Sequence, residues 1–237
     1  MVTPVSSPSP SPVSQATASP TPVATAVTKA GAMPIATAVL SKDEQGRVAR
    51  ALATGRMEMP ANIAVLRGHT GTLLGAGDSA AAFAPTAPVG TAVIEARPQF
   101  TWTARAGATR YSITVFDERF REVAKSGSLK TTTWTPRQDL PRGRVLEWQV
   151  TAITRNETSI SPAPPQPEAR FVVLDAATVA RLAKERTRLA TEPIALGLVL
   201  AKSGLFAEAD SVFQTALTDE RYDRSQVRAL LTRLHAR

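Results

Sequence analysis

The sequence contains no cysteine. Disulfides, thiolate nucleophiles and cysteine-ligated metals are therefore excluded within it. Compartment is not decided by this, because a cysteine-free chain suits an oxidising envelope and the cytosol alike. Histidine is almost as scarce. His69 and His235 stand far apart with no His-x-x-x-His spacing, so no metal centre is expected. No apolar run approaches the roughly 18 residues of a membrane-spanning helix. The N-terminus has neither the basic start nor the compact apolar core of a signal peptide. Aromatic residues are only 5% of the chain, yet all three tryptophans, Trp102, Trp134 and Trp148, fall between Arg97 and Ile153.

Charge excludes further classes. The formal net charge is +8. Residues 1–94 carry 6 basic and 4 acidic side chains, residues 95–175 carry 12 and 9, and residues 176–237 carry 10 and 7. A nucleic-acid surface concentrates its charge on one element, and no element stands out here, so no nucleic-acid partner is expected. Gly68-His-Thr-Gly71 through Gly75-Ala-Gly77 is rich in glycine. It lacks the Gly-Lys-Ser/Thr of a phosphate loop and the Gly-x-Gly-x-x-Gly of a dinucleotide loop. It reads as turns around a short strand at Thr72–Leu74, and no cofactor is expected. No nucleophile elbow is present, and Asp117 and Glu118 fall at a hairpin tip where solvent keeps carboxylates ordinary. Catalysis is not expected.

Residues 1–40 are rich in Pro, Ser, Thr and Ala, and the first 28 carry no charged side chain. Such a stretch buries too little to offset its ordering entropy and reads as a disordered spacer. Residues 41–87 read as a short helical segment and the glycine-rich loop. Ser41-Lys-Asp-Glu44 fits a capping box, Val48, Ala51 and Leu52 follow at helical spacing, and Gly55 ends the helix. Pro60 opens a second short helix carrying Ile63 and Leu66. This pair has little core of its own and must dock elsewhere.

From residue 88 to 175 the period becomes two. Thr91–Glu95, Phe100-x-Trp102, Tyr111-x-Ile113-x-Val115, Glu122–Lys125, Leu129–Thr135, Leu146-x-Trp148-x-Val150-x-Ala152 and Ala169–Leu174 read as seven short strands. The expected fold is a mainly β sandwich of about seven strands, with a C-terminal α-helical hairpin region and a disordered N-terminus. Trp102 and Trp148 lie in alternating apolar register and belong to its core. Trp134, among threonines, is either core or an exposed contact.

Three pieces carry a resemblance. They are Pro98-x-Phe100-x-Trp102, then Gly107-Ala108-x-x-Tyr111-x-Ile113-x-Val115, and Leu140-x-x-Gly143 leading to Leu146-x-Trp148-x-Val150-x-Ala152. Together they resemble a fibronectin type III-like (immunoglobulin-like) domain. Such domains usually have Tyr where this chain has Leu146, so an apolar side chain must pack at that corner. The resemblance implies fold more than function.

Residues 176–237 return to helical spacing. Asp175 can cap a first helix and Pro193 can open a second. Gly197-Leu-Val-Leu200-x-x-x-Gly204-x-Phe206-x-x-Ala209-x-x-x-Phe213-x-x-Ala216-Leu217 resembles one tetratricopeptide repeat, with Gly197 and Ala209 small for close approach and Gly204 at the turn. Asp223–His235 reads as a closing helix. One repeat cannot sustain a solenoid, so it reads either as an appendage packed on the sandwich or as a docking surface. The whole combination resembles extracytoplasmic parts of bacterial envelope proteins. It implies a non-enzymatic protein–protein interaction or scaffold module, periplasmic or in the cell envelope. A protein partner is expected, with membrane attachment only through an anchor outside this sequence. The alternative is a carbohydrate-binding β-sandwich module. The candidate partner-binding residues are Trp134, Leu200, Phe206 and Phe213.

Overall fold

A computed structural model describes residues 39–60, 63–66, 83–164 and 166–236. The spacer, the glycine-rich loop, the strand expected at Thr72–Leu74 and His69 lie outside the described residues. Helix α1 spans Lys42–Thr54 and forms the expected capping box, with Ser41 Oγ accepting from the Glu44 N–H and the Glu44 carboxylate accepting from the Ser41 N–H. Gly55 ends it at φ 63°. A short helix α2 follows at Ile63–Leu66.

Nine strands come next among the described residues: β1 Pro85–Ala87, β2 Thr91–Val93, β3 Phe100–Trp102, β4 Arg110–Asp117, β5 Glu122–Lys125, β6 Thr133–Trp134, β7 Val145–Ile153, β8 Thr158–Ser161 and β9 Ala169–Val173. Two of them, β1 and β8, carry no clear apolar alternation and were not expected from the sequence. The proline in β1 is tolerated because that strand is an edge. The strand expected over Leu129–Thr135 shrinks to β6 and a lone bridge from Leu129 to Tyr111. Thr131 Oγ1 donates to the carbonyl of Thr133, and such local side-chain bonds compete with a ladder.

The strands form two sheets. One has the order β1-β3-β6. The other runs β2-β9-β7-β4-β5, with β8 also pairing β7. All pairings are antiparallel except β2 with β9. β8 pairs the far half of β7 and β9 the near half, so the two lie along one side of the same strand. Phe100 of the smaller sheet meets Trp148 and Phe171 of the larger one edge-on, with ring centroids 5.0 and 5.5 Å apart. Trp102 and Tyr111 meet the same way at 5.5 Å. Leu146 is fully buried in this cluster. The buried Trp148 indole N–H donates to the Pro88 carbonyl at 2.8 Å, which satisfies a group that is costly to bury alone.

Four helices follow: α3 Ala176–Arg188, α4 Pro193–Lys202, α5 Phe206–Ala216 and α6 Arg224–His235. Asp175 caps α3 and Asp223 caps α6 through their side chains. α4 is apolar nearly all round, as befits a helix with neighbours on several sides, and it packs against α1, α3 and α5. A Cβ added at Gly197 would lie 2.3 Å from the Phe213 ring. α4 and α5 therefore approach over bare backbone. At the turn between them Gly204 has φ 82°, and its carbonyl accepts from the Ala92 N–H of β2 at 2.9 Å. The turn thus satisfies the free edge of the larger sheet. α1 closes onto α6, where a Cβ added at Gly55 would meet Ala229 at 3.3 Å. All described residues fall within one compact unit, Pro34–Arg237.

Replacing Gly197 by Val forces a branched side chain into the Phe213 ring. Overpacking of this kind costs about 3 kcal/mol at its upper end, and urea denaturation should show a loss of that order. The pair Gly197→Val with Phe213→Leu should recover at least about 1 kcal/mol of it, as coupled neighbours do.

Candidate functional site

The outer face of β9 does not meet the smaller sheet. Val172 and Leu174 point instead into the helical core, together with Ala92 of β2. Above these residues α1, α3 and α4 leave a cleft of about 730 Å³. α1 contributes Arg47, Val48 and Ala51, α3 contributes Thr178, Arg181, Leu182 and Glu185, and α4 contributes Ala195, Leu198, Val199 and Lys202. Each set has helical i, i+3, i+4 spacing, so each helix turns one stripe toward the cleft. Met57, Pro60 and Leu66 complete an apolar wall.

Charges at the cleft divide into two groups. Its carboxylates are all engaged. Glu44 and Glu185 both accept from Arg188, which ties the start of α1 to the end of α3. Glu58 accepts from Lys202 at 2.7 Å. Asp175 caps α3 by accepting from the Thr178 N–H at 2.8 Å. The Arg188 hydrogen bond, opposed by some desolvation and helped by the Ser41 bonds, holds the Glu44 carboxyl at about 2. The Lys202 hydrogen bond likewise lowers Glu58, and Arg47 and Arg50 add a weaker Coulombic pull on it. The guanidinium groups of Arg47, Arg50, Arg56 and Arg181 have no hydrogen bond or ion pair within the described residues, though all four line the cleft. The local field is therefore cationic over an apolar floor. Arginine stays charged at any physiological pH, so the rim offers fixed charge and directed donors rather than proton transfer.

The residues singled out in the sequence lie elsewhere. Leu200, Phe206 and Phe213 are 2, 1 and 0% exposed. Placed so, they fill the interior of the helical layer and present no surface to a partner. Trp134 is half-buried, pairing with Phe100 across β6 and β3 at a ring-centroid distance of 5.4 Å. The large exposed aromatic among the described residues is Phe120, 72% exposed with φ 57° on the β4–β5 tip. No row of exposed aromatics accompanies Trp134 within the described residues. His235 meets Asp210 at 2.6 Å, and no group of three or more metal-ligating side chains occurs among the described residues. No described helix is long and apolar enough to cross a membrane.

The four cleft arginines were missed in the sequence, where basic residues are evenly spread. Only the pair Arg47 and Arg50, three residues apart on one expected helix, carried a signal. Arg181 joins them through tertiary packing alone.

The chain matches no protein-family model, and no curated protein matches it significantly.

The Glu44–Arg188 tie yields a pH signature. The folded carboxyl sits below its ordinary value near 4.5, so its stabilisation is complete above that value and is lost as pH falls toward 2. Arg188 is partly solvent-exposed, which keeps the expected contribution to about 1 kcal/mol. Glu44→Gln should lower stability by that amount at pH 7, and the difference from wild type should close between pH 5 and 2 in urea titrations.

Proposed function

We propose that this protein is a non-enzymatic protein–protein interaction or scaffold module of the bacterial cell envelope. The observation that carries the reading is the cleft itself. Three helices line one hollow, with Leu198, Val199 and the nearby Met57 keeping apolar surface open at its floor and arginines at its rim, over a sheet that supports them from below. Clefts of a few hundred cubic ångströms, apolar with a few placed polar groups, are where proteins bind ligands. The polar groups here keep their charge, which suits recognition.

The strand order supports a fibronectin type III-like sandwich beneath it. β1-β3-β6 corresponds to the first, second and fifth strands of such a domain on one sheet. β5-β4-β7, with β8 and β9 together as the last strand, corresponds to the other. The edge-on rings of Phe100, Trp148 and Phe171 fit two facing sheets. The α4–α5 hairpin, with Gly197 against Phe213 and Gly204 at the turn, fits a single tetratricopeptide-like repeat. In this reading the sandwich is a rigid spacer and base, and the helical layer is the recognising face. The envelope location rests on the resemblance of the domain combination, its Pro/Ser/Thr-rich stretch included.

A photo-cross-linking amino acid at Thr178 or Arg50, on the cleft, should give a discrete adduct with another protein in the source cells. The same group at the exposed Ile160 of β8 should not. Equal labelling from all three positions, or none from the cleft, would reject the interaction reading. Recovery of the protein wholly in the cytosolic fraction would reject the envelope assignment.

A further inference from the structure

The interaction reading names no partner, but the cleft constrains the partner's chemistry. We propose that the cleft receives one α-helix of a protein partner, laid with an apolar face against the half-buried Met57, Leu198 and Val199 and with acidic side chains flanking that face. Arg47, Arg50, Arg56 and Arg181 would select it. The inference rests on the interaction reading and adds the class of ligand.

Shape is the first argument. The stripes that line the cleft come from three helices at i, i+3, i+4 spacing, which is the surface that accepts the ridges of a fourth helix. A helix about 10 Å across and two turns long fills roughly 800–900 Å³. That is close to the cleft's 730 Å³. Amphipathic helices bind apolar grooves in this way, by anchors one and two turns apart.

Charge is the second argument. Every carboxylate at the cleft already has a hydrogen-bonded partner, whereas four guanidiniums at it make no hydrogen bond or ion pair among the described residues, Arg47 and Arg50 acting on Glu58 only at longer range. An occupant that covers the floor also desolvates these cations, and an unpaired buried cation is costly. The occupant must therefore bring carboxylates. The chain's own undescribed residues bring almost none. Residues 1–38 contain no Asp or Glu, and residues 67–82 contain only Asp78. They are poor candidates for the occupant on charge alone. Nucleic acid suits the site equally poorly, because its phosphates gain nothing from a floor of Met57, Leu198 and Val199.

The full chain can be tested by fluorescence anisotropy with a labelled synthetic peptide of about 18 residues. The peptide carries Leu at i, i+3, i+4 and i+7 and Glu on both flanks. A twin replaces every Glu by Lys. The acidic peptide should bind and gain helical circular dichroism on binding, with affinity that rises as salt is lowered. The Lys twin should bind at least about tenfold more weakly, and so should the acidic peptide to the Arg50→Glu, Arg181→Glu double variant. Both arginines are exposed, so the variant should keep its melting temperature. Arg50→Gln with Arg181→Gln provides a milder second variant should reversal impair folding. Equal binding of the two peptides, indifference to both variants, or no acidic-peptide binding up to millimolar concentration would overturn the proposal. So would displacement of the acidic peptide by dodecanoate at lower concentration than by unlabelled peptide, which would mark a lipid site. A concentration-dependent dimer that the double variant abolishes would assign the cleft to a second copy instead. Cleft cross-linking that persists without acidic-peptide binding would sink this inference alone, whereas loss of cross-linking would sink the interaction reading too.

Discussion

Strand β9 is buried on both faces, and the remainder of the molecule follows from that. Ala169, Phe171 and Val173 enter the cluster shared by the two sheets. Val172 and Leu174 enter the helical core. A strand whose side chains of both parities are apolar needs a layer on each side. The smaller sheet supplies one layer through Phe100 and Trp102. The helices supply the other. Five residues thus weld two cores together, and neither side of β9 can be exposed without leaving apolar surface in water, at about 25 cal/mol per Å².

The helical layer is fastened to that strand by small residues and by backbone. Gly204 gives its carbonyl to the edge of β2, next to β9. Gly197 lets the Phe213 ring lie against the α4 backbone. Arg142 reaches across from the loop before β7, donating to the carbonyls of Ile94 and Leu174 at 2.9 and 2.7 Å. Each contact satisfies a polar group or removes a void where sheet and helices meet. Helix α1 arrives from far away in sequence and closes the layer against α6 and α4. Because α1 meets α3 chiefly through the Arg188 clamp on Glu44, the two do not close completely. The cleft is the space left between them.

The cationic rim follows from the same arrangement. Carboxylates near helix ends are drawn into caps and clamps: Asp175 at the start of α3, Glu44 at the start of α1, and Glu185 beside Arg188. Arg47, Arg50 and Arg181 lie on helix middles and Arg56 just past the Gly55 stop, and none of the four is taken up in a hydrogen bond or ion pair among the described residues. Charge that is evenly spread along the chain therefore becomes uneven in space. A partner bearing carboxylates along an apolar helix face would meet both features at once.

Local chemistry made much of this legible without coordinates. The Ser41 capping box, the Gly55 stop, the Asp175 and Asp223 caps and the turn at Gly204 are short-range events, governed by residues within a few positions of one another. The alternation through Tyr111–Val115 and Leu146–Ala152 likewise marks its own buried face. Strands β1 and β8 could not be read, since each is short, lies on an edge and has no alternation to declare it. The burial of Leu200, Phe206 and Phe213 could not be read either. Helical spacing shows that these residues share a face but not whether another helix covers that face. The cleft was the least legible feature, for Arg47 and Arg181 are 134 positions apart and line one cleft only when α1 and α3 both pack against α4. The sequence by itself determined the elements, their ends and the double-sided apolarity of Ala169–Leu174. Which faces were left open, and which charges were left unpaired, only the tertiary packing decided, because both depend on neighbours that local spacing cannot name.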